Sequence, residues 1–305
     1  MTRRFTLLLL ACAAARAGEY DDRYSKEIEK LDRALPESVC QARMLLRESL
    51  PKANSVDRAV MFRLFRSLYL DVVGGSTTRF EEAVAPVIAQ IEQLKPTGLW
   101  NAAGDIALLS AQPEIHRAIG PWLDCGFAIQ TEEGMWFPVA GSVVMMEFVP
   151  RLPAALGAYV RFRAHEDAEV VAGDAALGLT WRQLAERLLR WEDFGRLHSQ
   201  MPEVKFEVKP EIDNLSGMFL FGLDNTPTYI AEKIDPGLIA VWRWFAARSP
   251  RSKFTPLIRE MLHALAHNSD KLTEQDHALF ASYGLGEQFD GWLRIMKLQT
   301  QTQQQ

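Results

Sequence analysis

Apolar residues recur at helical spacing along most of the chain. The segment from Ser55 to residue 73 carries a wide apolar face that includes Met61, Phe65 and Leu68. Such spacing is typical of an amphipathic helix with one buried face. Gly74–Gly75 predicts the end of this helix, and a capping box at Thr78 predicts the start of another, reaching about residue 94.

Capping signals predict further helices on both sides of this segment. Ser38 with Gln41 and Thr180 with Gln183 each form a capping-box pattern. Asp235 and Thr255 each precede a proline, which suits the first position of a helix. The remaining helices are predicted over residues 19–35, 143–149, 153–169, 206–222, 273–283 and 287–298, and residues 101–122 are predicted to form two short helices broken at Pro113.

The middle of the chain contains one strong strand signal. Residues 127–131 and 135–139 are short β-prone runs on either side of Glu132–Glu133–Gly134. A short glycine-containing loop between two such runs predicts a hairpin. Pro138 restricts the second run to a sheet edge, because proline has no N–H to donate.

An internal similarity links two of the C-terminal helices. Trp191-x-x-Phe194 is followed by Pro-x-x-Lys-Phe at 202–206, and Trp242-x-x-Phe245 by the same pattern at 250–254. The two tryptophans are 51 positions apart. This recurrence indicates stacked helical pairs that bury their faces against each other. The alternative is that the aromatic residues recur only because each helix needs a core.

The turn at 250–254 is similar to the interhelical turns of tetratricopeptide-like helical-repeat proteins of the bacterial envelope. The resemblance covers residues 181–270 only, and it implies a non-enzymatic protein-binding surface.

These patterns predict a mainly α fold: stacked helical hairpins with one small β-hairpin inserted near the middle. The expected regions are a signal peptide (1–17), a helical N-terminal region (18–122), a hairpin-containing middle region (123–179), a helical-pair region (180–298) and a disordered tail (299–305).

Composition narrows the class of protein. Of the 305 residues, 48% are hydrophobic and 24% charged, which is typical of a globular protein. The formal net charge of −5 and the absence of a basic block exclude an ordinary nucleic-acid binder. No apolar run is long enough to predict a transmembrane segment.

The N-terminal residues 1–17 are predicted to form an export signal. Arg3 and Arg4 precede an apolar stretch at 5–15, and Ala15-Arg16-Ala17 supplies the small residues that signal peptidase requires before Gly18. Without residues 1–17 the formal charge is −8, because they contain three arginines and no acid.

Leu9-Leu10-Ala11-Cys12 supports a competing interpretation, a lipobox in which Cys12 is acylated and tethers the chain to a membrane. The two interpretations place the protein in the periplasm or medium, or on a membrane.

Cys40 and Cys125 are the two cysteines beyond this leader. In an oxidising compartment they either form a disulfide or remain as two buried thiols.

Two sets of residues suggest binding chemistry. Glu260, His263 and His267 have helical spacing suited to zinc ligands, but no glutamate directly follows the first histidine, so no zinc protease is predicted. The segment 222–229 is a rigid polar corner in which Asp224, Asn225, Thr226 and Tyr229 are candidates for lining a binding groove.

No catalytic motif or phosphate-binding loop is recognisable, so we expect no cofactor. The sequence favours an exported interaction scaffold or binding protein whose partner is another envelope protein. The alternative is an exported hydrolase of cell-wall or extracellular polymer, for which Glu48 is the candidate general acid.

Overall fold

A computed structural model describes residues 18–94, 103–132, 135–173, 175–230 and 233–303. The signal peptide and Cys12 therefore lie outside the described residues. The chain divides into two compact units, unit 1 (Met1–Glu169) and unit 2 (Val170–Gln305). The fold is mainly α, as predicted, with small two-stranded antiparallel hairpins.

Unit 1 contains eight helices among its described residues. They are α1 (Glu19–Glu29), α2 (Glu37–Ser49), α3 (Ser55–Val84), α4 (Ile88–Gln93), α5 (Ala103–Ser110), α6 (Pro113–Asp124), α7 (Ser142–Met146) and α8 (Ala154–Glu166). Short 3-10 turns occupy Leu50–Lys52, Ala85–Val87 and Val149–Arg151.

The predicted hairpin of unit 1 is confirmed. Strand β1 (Phe127–Glu132) pairs antiparallel with β2 (Met135–Ala140), and Ile129 lies opposite Pro138. With only two strands in this sheet, both are edges, and Pro138 is accommodated there.

Helix α3 forms the centre of unit 1. Phe62, Phe65 and Tyr69 lie along one buried face, and the Phe65 ring contacts Phe148 at a centroid distance of 5.5 Å. The Tyr69 hydroxyl donates to the Gly126 carbonyl at 2.6 Å and accepts from the Gly141 N–H at 2.9 Å. These two hydrogen bonds hold the open end of the β1–β2 hairpin, where the chain enters β1 and leaves β2, on α3.

Cys40 of α2 and Cys125, which directly follows α6, form a disulfide. Of the two alternatives that the sequence leaves open, the structure has the bridge.

Unit 2 contains six helices among its described residues: α9 (Trp181–Leu197), α10 (Lys209–Phe221), α11 (Pro236–Arg248), α12 (Thr255–His267), α13 (His277–Ser282) and α14 (Gly286–Gln303). Three short hairpins pair β3 (Ala172–Gly173) with β4 (Ala176–Leu177), β5 (Gly222–Leu223) with β6 (Thr226–Pro227), and β7 (Tyr229–Ile230) with β8 (Lys233–Ile234). The described residues thus hold four hairpins where the sequence predicted one.

Helical pairs organise the core of unit 2. Helix α9 packs on α10, α11 packs on α12, and α9 also contacts α11. Trp191 and Trp242 are fully buried, and the Trp242 indole N–H donates to the Phe219 carbonyl at 3.3 Å. Both repeated tryptophans therefore serve the core.

Several predicted boundaries are wrong. Helix α3 runs through Gly74–Gly75 and Thr78 without a break, and α2 begins at Glu37 without a side-chain cap from Ser38. A π-helical turn at Val204–Val208 precedes α10. Helix α14 extends to Gln303, so the tail expected to be disordered from residue 299 is helical up to that point.

No helix within the described ranges is long and apolar enough to cross a bilayer.

Candidate functional site

A polar loop follows α10 and leads into two of the short hairpins. Gly222 ends α10 with a φ of +77°, a left-handed conformation that favours glycine. The next residues form β5–β6 and then β7–β8. This is the rigid corner that the sequence predicted for residues 222–229.

Thr228 fixes the corner to the last helix. Its side chain is fully buried and accepts a hydrogen bond from the Trp292 indole N–H at 2.9 Å. Its carbonyl accepts from the Asp235 N–H at 2.8 Å. Because Asp235 also caps α11 by accepting from the Gly237 N–H, the loop is held between the two helices α11 and α14.

Asn225 and Thr226 anchor the loop to a neighbouring hairpin. The Asn225 N–H donates to the Ala175 carbonyl at 2.9 Å, and the Thr226 hydroxyl accepts from the Leu177 N–H at 2.9 Å. These two predicted site residues therefore have a clear structural role.

Asp224 and Tyr229 line an open cavity of about 480 Å³, here called the loop cleft. Its walls come from α10, the loop and α14. The aromatic side chains among its lining residues are Phe221, Tyr229 and Trp292, and the other apolar side chains are Met218, Leu223, Pro227 and Ile295. The polar side chains are those of Asp213, Asn214, Asp224 and Gln288.

The aromatic floor of the loop cleft is braced by further rings. Trp292 contacts Tyr229 edge-on at 5.9 Å between centroids and Phe289 at 5.7 Å. Phe289 in turn stacks on Phe280 at 4.0 Å. Rings packed against each other in this way form a continuous apolar surface beneath the cleft.

Both charged residues that line the loop cleft are acidic. Burial raises the pKa of the Tyr229 hydroxyl and the negative charge of Asp224 raises it further, so Tyr229 stays neutral at physiological pH. Asp213 forms an ion pair with Lys253 at 3.0 Å, whereas Asp224 is exposed. The arrangement suits a group with an apolar part and a cationic or hydrogen-bonding end.

Sequence reasoning missed the contributions of α10 and α14. Trp292 and Ile295 follow the loop by more than 60 positions, and no local pattern connects them to it. The only available signal was the amphipathic spacing of the last helix.

A second open cavity of about 690 Å³ lies where the two Pro-x-x-Lys-Phe segments meet, and we call it the repeat-turn cleft. It is lined by the end of α9, the π turn, the start of α10 and the turn 249–253. Its apolar side includes Val204, Val208 and Ile212.

The predicted zinc ligands do not assemble. The His267 ring stacks on His263 at 4.3 Å and its Nδ1 lies 2.7 Å from the His263 carbonyl oxygen, while Glu260 contacts the Tyr283 hydroxyl at 3.5 Å. Among the described residues no group of three His, Cys, Asp or Glu side chains is placed to hold a metal ion. The described geometry therefore gives no support to a zinc site at Glu260, His263 and His267.

Glu48 is exposed near the end of α2 and lines neither of the two clefts. A general acid needs a site that raises its pKa and holds a substrate. This position provides no such enclosure.

No family model matches the chain, and no curated protein or solved structure resembles it significantly.

Proposed function

We propose that this chain is a non-enzymatic binding protein of the bacterial envelope, and that its loop cleft receives a segment of a partner protein. The observation that carries the proposal is the loop cleft itself, a cavity with a braced aromatic floor and a polar rim. Concave, largely apolar sites with a few fixed polar groups are the usual form of ligand-binding sites.

The side chains around the cleft favour binding over catalysis. Among the described residues, neither cleft is lined by a histidine or a cysteine side chain. In the loop cleft, Asp213 is neutralised by Lys253 and Tyr229 is held neutral. The half-exposed Ile295 offers apolar surface beside this rim, as expected of a docking site for a peptide.

Export is supported by the predicted signal at residues 1–17 and by the resemblance of the turn at 250–254 to helical-repeat proteins of the envelope. The proposal applies both to release into the periplasm and to acylation at Cys12, because neither changes the residues that line the loop cleft.

Site-specific photo-crosslinking in living cells tests the proposal. A photoreactive phenylalanine analogue is placed at Ile295 or Asp224 in the full-length chain, and at exposed Glu48 as the control. We expect one discrete protein adduct at both cleft positions and none at the control.

The same adduct at Glu48, or no adduct at either cleft position, would contradict the proposal. As a further check, Asp224→Arg should abolish the adduct formed at position 295, because it reverses the charge of the rim without entering the core.

A further inference from the structure

Two buried carboxylates meet where α1 packs on α3. Asp21 of α1 is 5% exposed and Asp57, in the first turn of α3, is 2% exposed. Asn54 Nδ2 donates to Asp57 Oδ2 at 2.9 Å, but Oδ1 is buried and has no hydrogen-bond partner among the described residues. Burial raises the pKa of Asp21, and the charge of Asp57 contributes in the same direction. A buried carboxylate oxygen without a donor is unfavourable. Within the described part of the chain, no positively charged group pairs with Asp21 or Asp57.

Gly18 lies against this carboxylate. A Cβ added to Gly18 would be 2.3 Å from Asp57 Oδ2 and 2.8 Å from Oδ1, so a side chain at this position would collide with Asp57. The backbone of Gly18 therefore occupies the space directly beside the unpartnered oxygen.

Gly18 is also the residue that follows the predicted cleavage site Ala15-Arg16-Ala17. Hydrolysis of the Ala17–Gly18 peptide bond by signal peptidase consumes one water molecule. It leaves a carboxylate on Ala17 and an amine on Gly18, and that amine is mostly protonated at neutral pH because its ordinary pKa is about 8.

We propose that the ammonium group of Gly18, formed by this cleavage, binds the Asp57 carboxylate and fixes α1 on α3. An ammonium has three N–H donors, enough for Asp57 Oδ1 and for Asp21 as well. Processing at the export signal then supplies the positive charge that the buried pair lacks. Lipoprotein processing at Cys12 would leave residues 12–17 attached, and no such ammonium would form.

The test uses protein exported from the full-length gene. Intact mass establishes where the mature chain begins, and a limiting amount of an N-hydroxysuccinimide ester is then used to measure the labelling rate of the Gly18 amine by peptide mapping. We expect Gly18 to react about tenfold more slowly in the wild type than in Asp57→Asn, because an ion pair raises the pKa of the amine and lowers its unprotonated, reactive fraction. Glu29→Gln removes the same charge from an exposed site on α1 and should leave the rate unchanged.

A mature chain that begins elsewhere than Gly18 overturns the proposal, and so does equal labelling in the wild type and Asp57→Asn. If Asp57→Asn does not fold, the pH dependence of labelling in the wild type decides: an apparent amine pKa of about 8 or below refutes the ion pair.

A separate observation in unit 2 concerns the charge of the repeat-turn cleft. Its lining holds five basic side chains, those of Arg196, Lys209, Arg248, Arg251 and Lys253, against two acidic ones, Glu192 and Asp193. Arg196 pairs with Asp193 at 2.9 Å and Lys253 with Asp213. The other three cations form no ion pair with any residue that the structure describes. In a chain of net charge −5 this is a local concentration of positive charge.

The turn that presents these cations is rigid. Glu192 accepts hydrogen bonds from the Lys253 N–H at 3.1 Å and from the Ser252 side chain. The Thr255 hydroxyl donates to the Ser249 carbonyl at 2.6 Å. These hydrogen bonds fix the backbone of the turn from which the exposed side chains of Arg248 and Arg251 extend.

We infer that the repeat-turn cleft binds an acidic peptide segment in which apolar side chains alternate with carboxylates. The apolar wall of Val204 and Ile212 suits aliphatic side chains, and Lys209, Arg248 and Arg251 provide the complementary charge. A bare polyanion would satisfy the cations and leave this wall in water, which makes a peptide the better fit.

Fluorescence anisotropy with a labelled synthetic peptide of repeated Leu-Glu-Glu tests the inference on the full chain. The combined variant Lys209→Gln, Arg248→Gln, Arg251→Gln should bind about tenfold more weakly, and wild-type binding should weaken with added salt. The matched control Lys52→Gln, Arg79→Gln, Arg117→Gln removes equal charge from exposed positions of unit 1 and should bind as the wild type does.

Two control peptides separate the contribution of the carboxylates from that of the apolar side chains. Leu-Gln-Gln and Ser-Glu-Glu repeats should each bind at least tenfold more weakly than Leu-Glu-Glu. The inference is overturned if the wild type does not bind Leu-Glu-Glu, if Ser-Glu-Glu or dextran sulfate binds as tightly, or if both triple variants lose affinity equally. Asp224→Arg should leave this binding unchanged, because Asp224 lines the loop cleft and not the repeat-turn cleft.

Discussion

The burial of Glu192 and the hydrogen bonds to its carboxylate shift its pKa in opposite directions. Burial raises its pKa, and the hydrogen bonds from Ser252 and the Lys253 N–H offset that effect only in part. One carboxylate oxygen remains buried without a donor. A pKa raised above the unfolded value means that the folded state binds the proton more tightly, so stability from this group is present below about pH 4.5 and is lost as the pH rises through the folded-state pKa.

We therefore expect Glu192→Gln to gain stability relative to the wild type as the pH rises. The amide keeps the acceptor for Lys253 and carries no charge, so it avoids the desolvation cost that the carboxylate incurs at neutral pH. Urea unfolding midpoints of both proteins, measured at pH 4 and pH 7, report the difference. Exposed Glu48→Gln serves as the control, and an equal offset for Glu192→Gln at both pH values would contradict the expectation.

Glu147 is predicted to respond in the opposite direction. Burial by itself raises its pKa, but the hydrogen bonds and charges of Arg43 and Arg47 outweigh burial and hold the pKa below its ordinary value. The Arg43 Nε–Glu147 Oε1 distance is 2.7 Å, and both side chains are less than a third exposed. Stability from this group is thus present above about pH 4.5 and lost as the pH falls through the lower, folded-state pKa.

Glu147→Gln should destabilise the protein by about 2 kcal/mol at pH 7, the size expected for hydrogen bonds to a charged group. The loss should be smaller at pH 3 than at pH 7, because the stabilisation by the charged carboxylate declines as the pH falls from 4.5 through the lower, folded-state pKa. Urea titrations at the two pH values test this, and a loss that persists undiminished at pH 3 would indicate packing rather than charge.

Helix α3 shows how packing overrides a local helix-stop signal. Gly74–Gly75 and the Thr78 capping-box pattern predict a break, yet Val72, Ser76, Phe80 and Val84 continue the buried face at four-residue intervals. Two glycines cost about 2 kcal/mol in helix propensity, which burial of large side chains readily exceeds. The sequence contains that continuing apolar face. The stability that the face contributes, however, depends on packing against elements that only folding brings into contact with it.

The two glycines of α3 should respond oppositely to alanine. A Cβ at Gly74 meets nothing within 4 Å, so Gly74→Ala should stabilise by about 0.5–1 kcal/mol through helix propensity. A Cβ at Gly75 would lie 2.4 Å from the Arg33 carbonyl oxygen, so Gly75→Ala should destabilise by forcing the backbone apart. Thermal unfolding of the pair tests this, each variant being the control for the other.

Elements with strong local signals were predictable. The Thr180–Gln183 capping box and the Asp235 cap are both present, and the β1–β2 hairpin agrees to within one residue at each strand end. In these cases the stabilising partner lies within a few positions along the chain. The three two-residue hairpins of unit 2 have no comparable β-prone run, and their pairing depends on the surrounding helices.

At the scale of the whole molecule, the loop cleft could be predicted only in part, because some of its contacts join residues that are far apart in the sequence. The polar corner at 222–229 stands out in the sequence, and Asp224 and Tyr229 do line the loop cleft. The floor provided by Trp292 comes from α14, and its hydrogen bond to Thr228 joins residues 64 positions apart. Contacts across such distances leave no local pattern in the sequence. Glu260, His263 and His267 do have a local pattern, yet the described residues contain no group of three potential ligands placed to hold a metal ion.

The Cys40–Cys125 disulfide is the longest covalent connection within unit 1. It joins residues 85 positions apart, and closing a loop of that length in the unfolded chain corresponds to about 4 kcal/mol of stabilisation. Cys125 directly precedes Gly126, whose carbonyl accepts from the Tyr69 hydroxyl, so the bridge to α2 also fixes the segment that Tyr69 holds on α3. The double variant Cys40→Ala, Cys125→Ala should therefore lose about 2–5 kcal/mol of stability. Urea unfolding measures the total, and hydrogen exchange should show faster opening of α2 and of the hairpin amides. Wild-type protein treated with a reductant should match the variant; unchanged exchange in both would show that the helices and the Tyr69 hydrogen bonds alone suffice to hold this region.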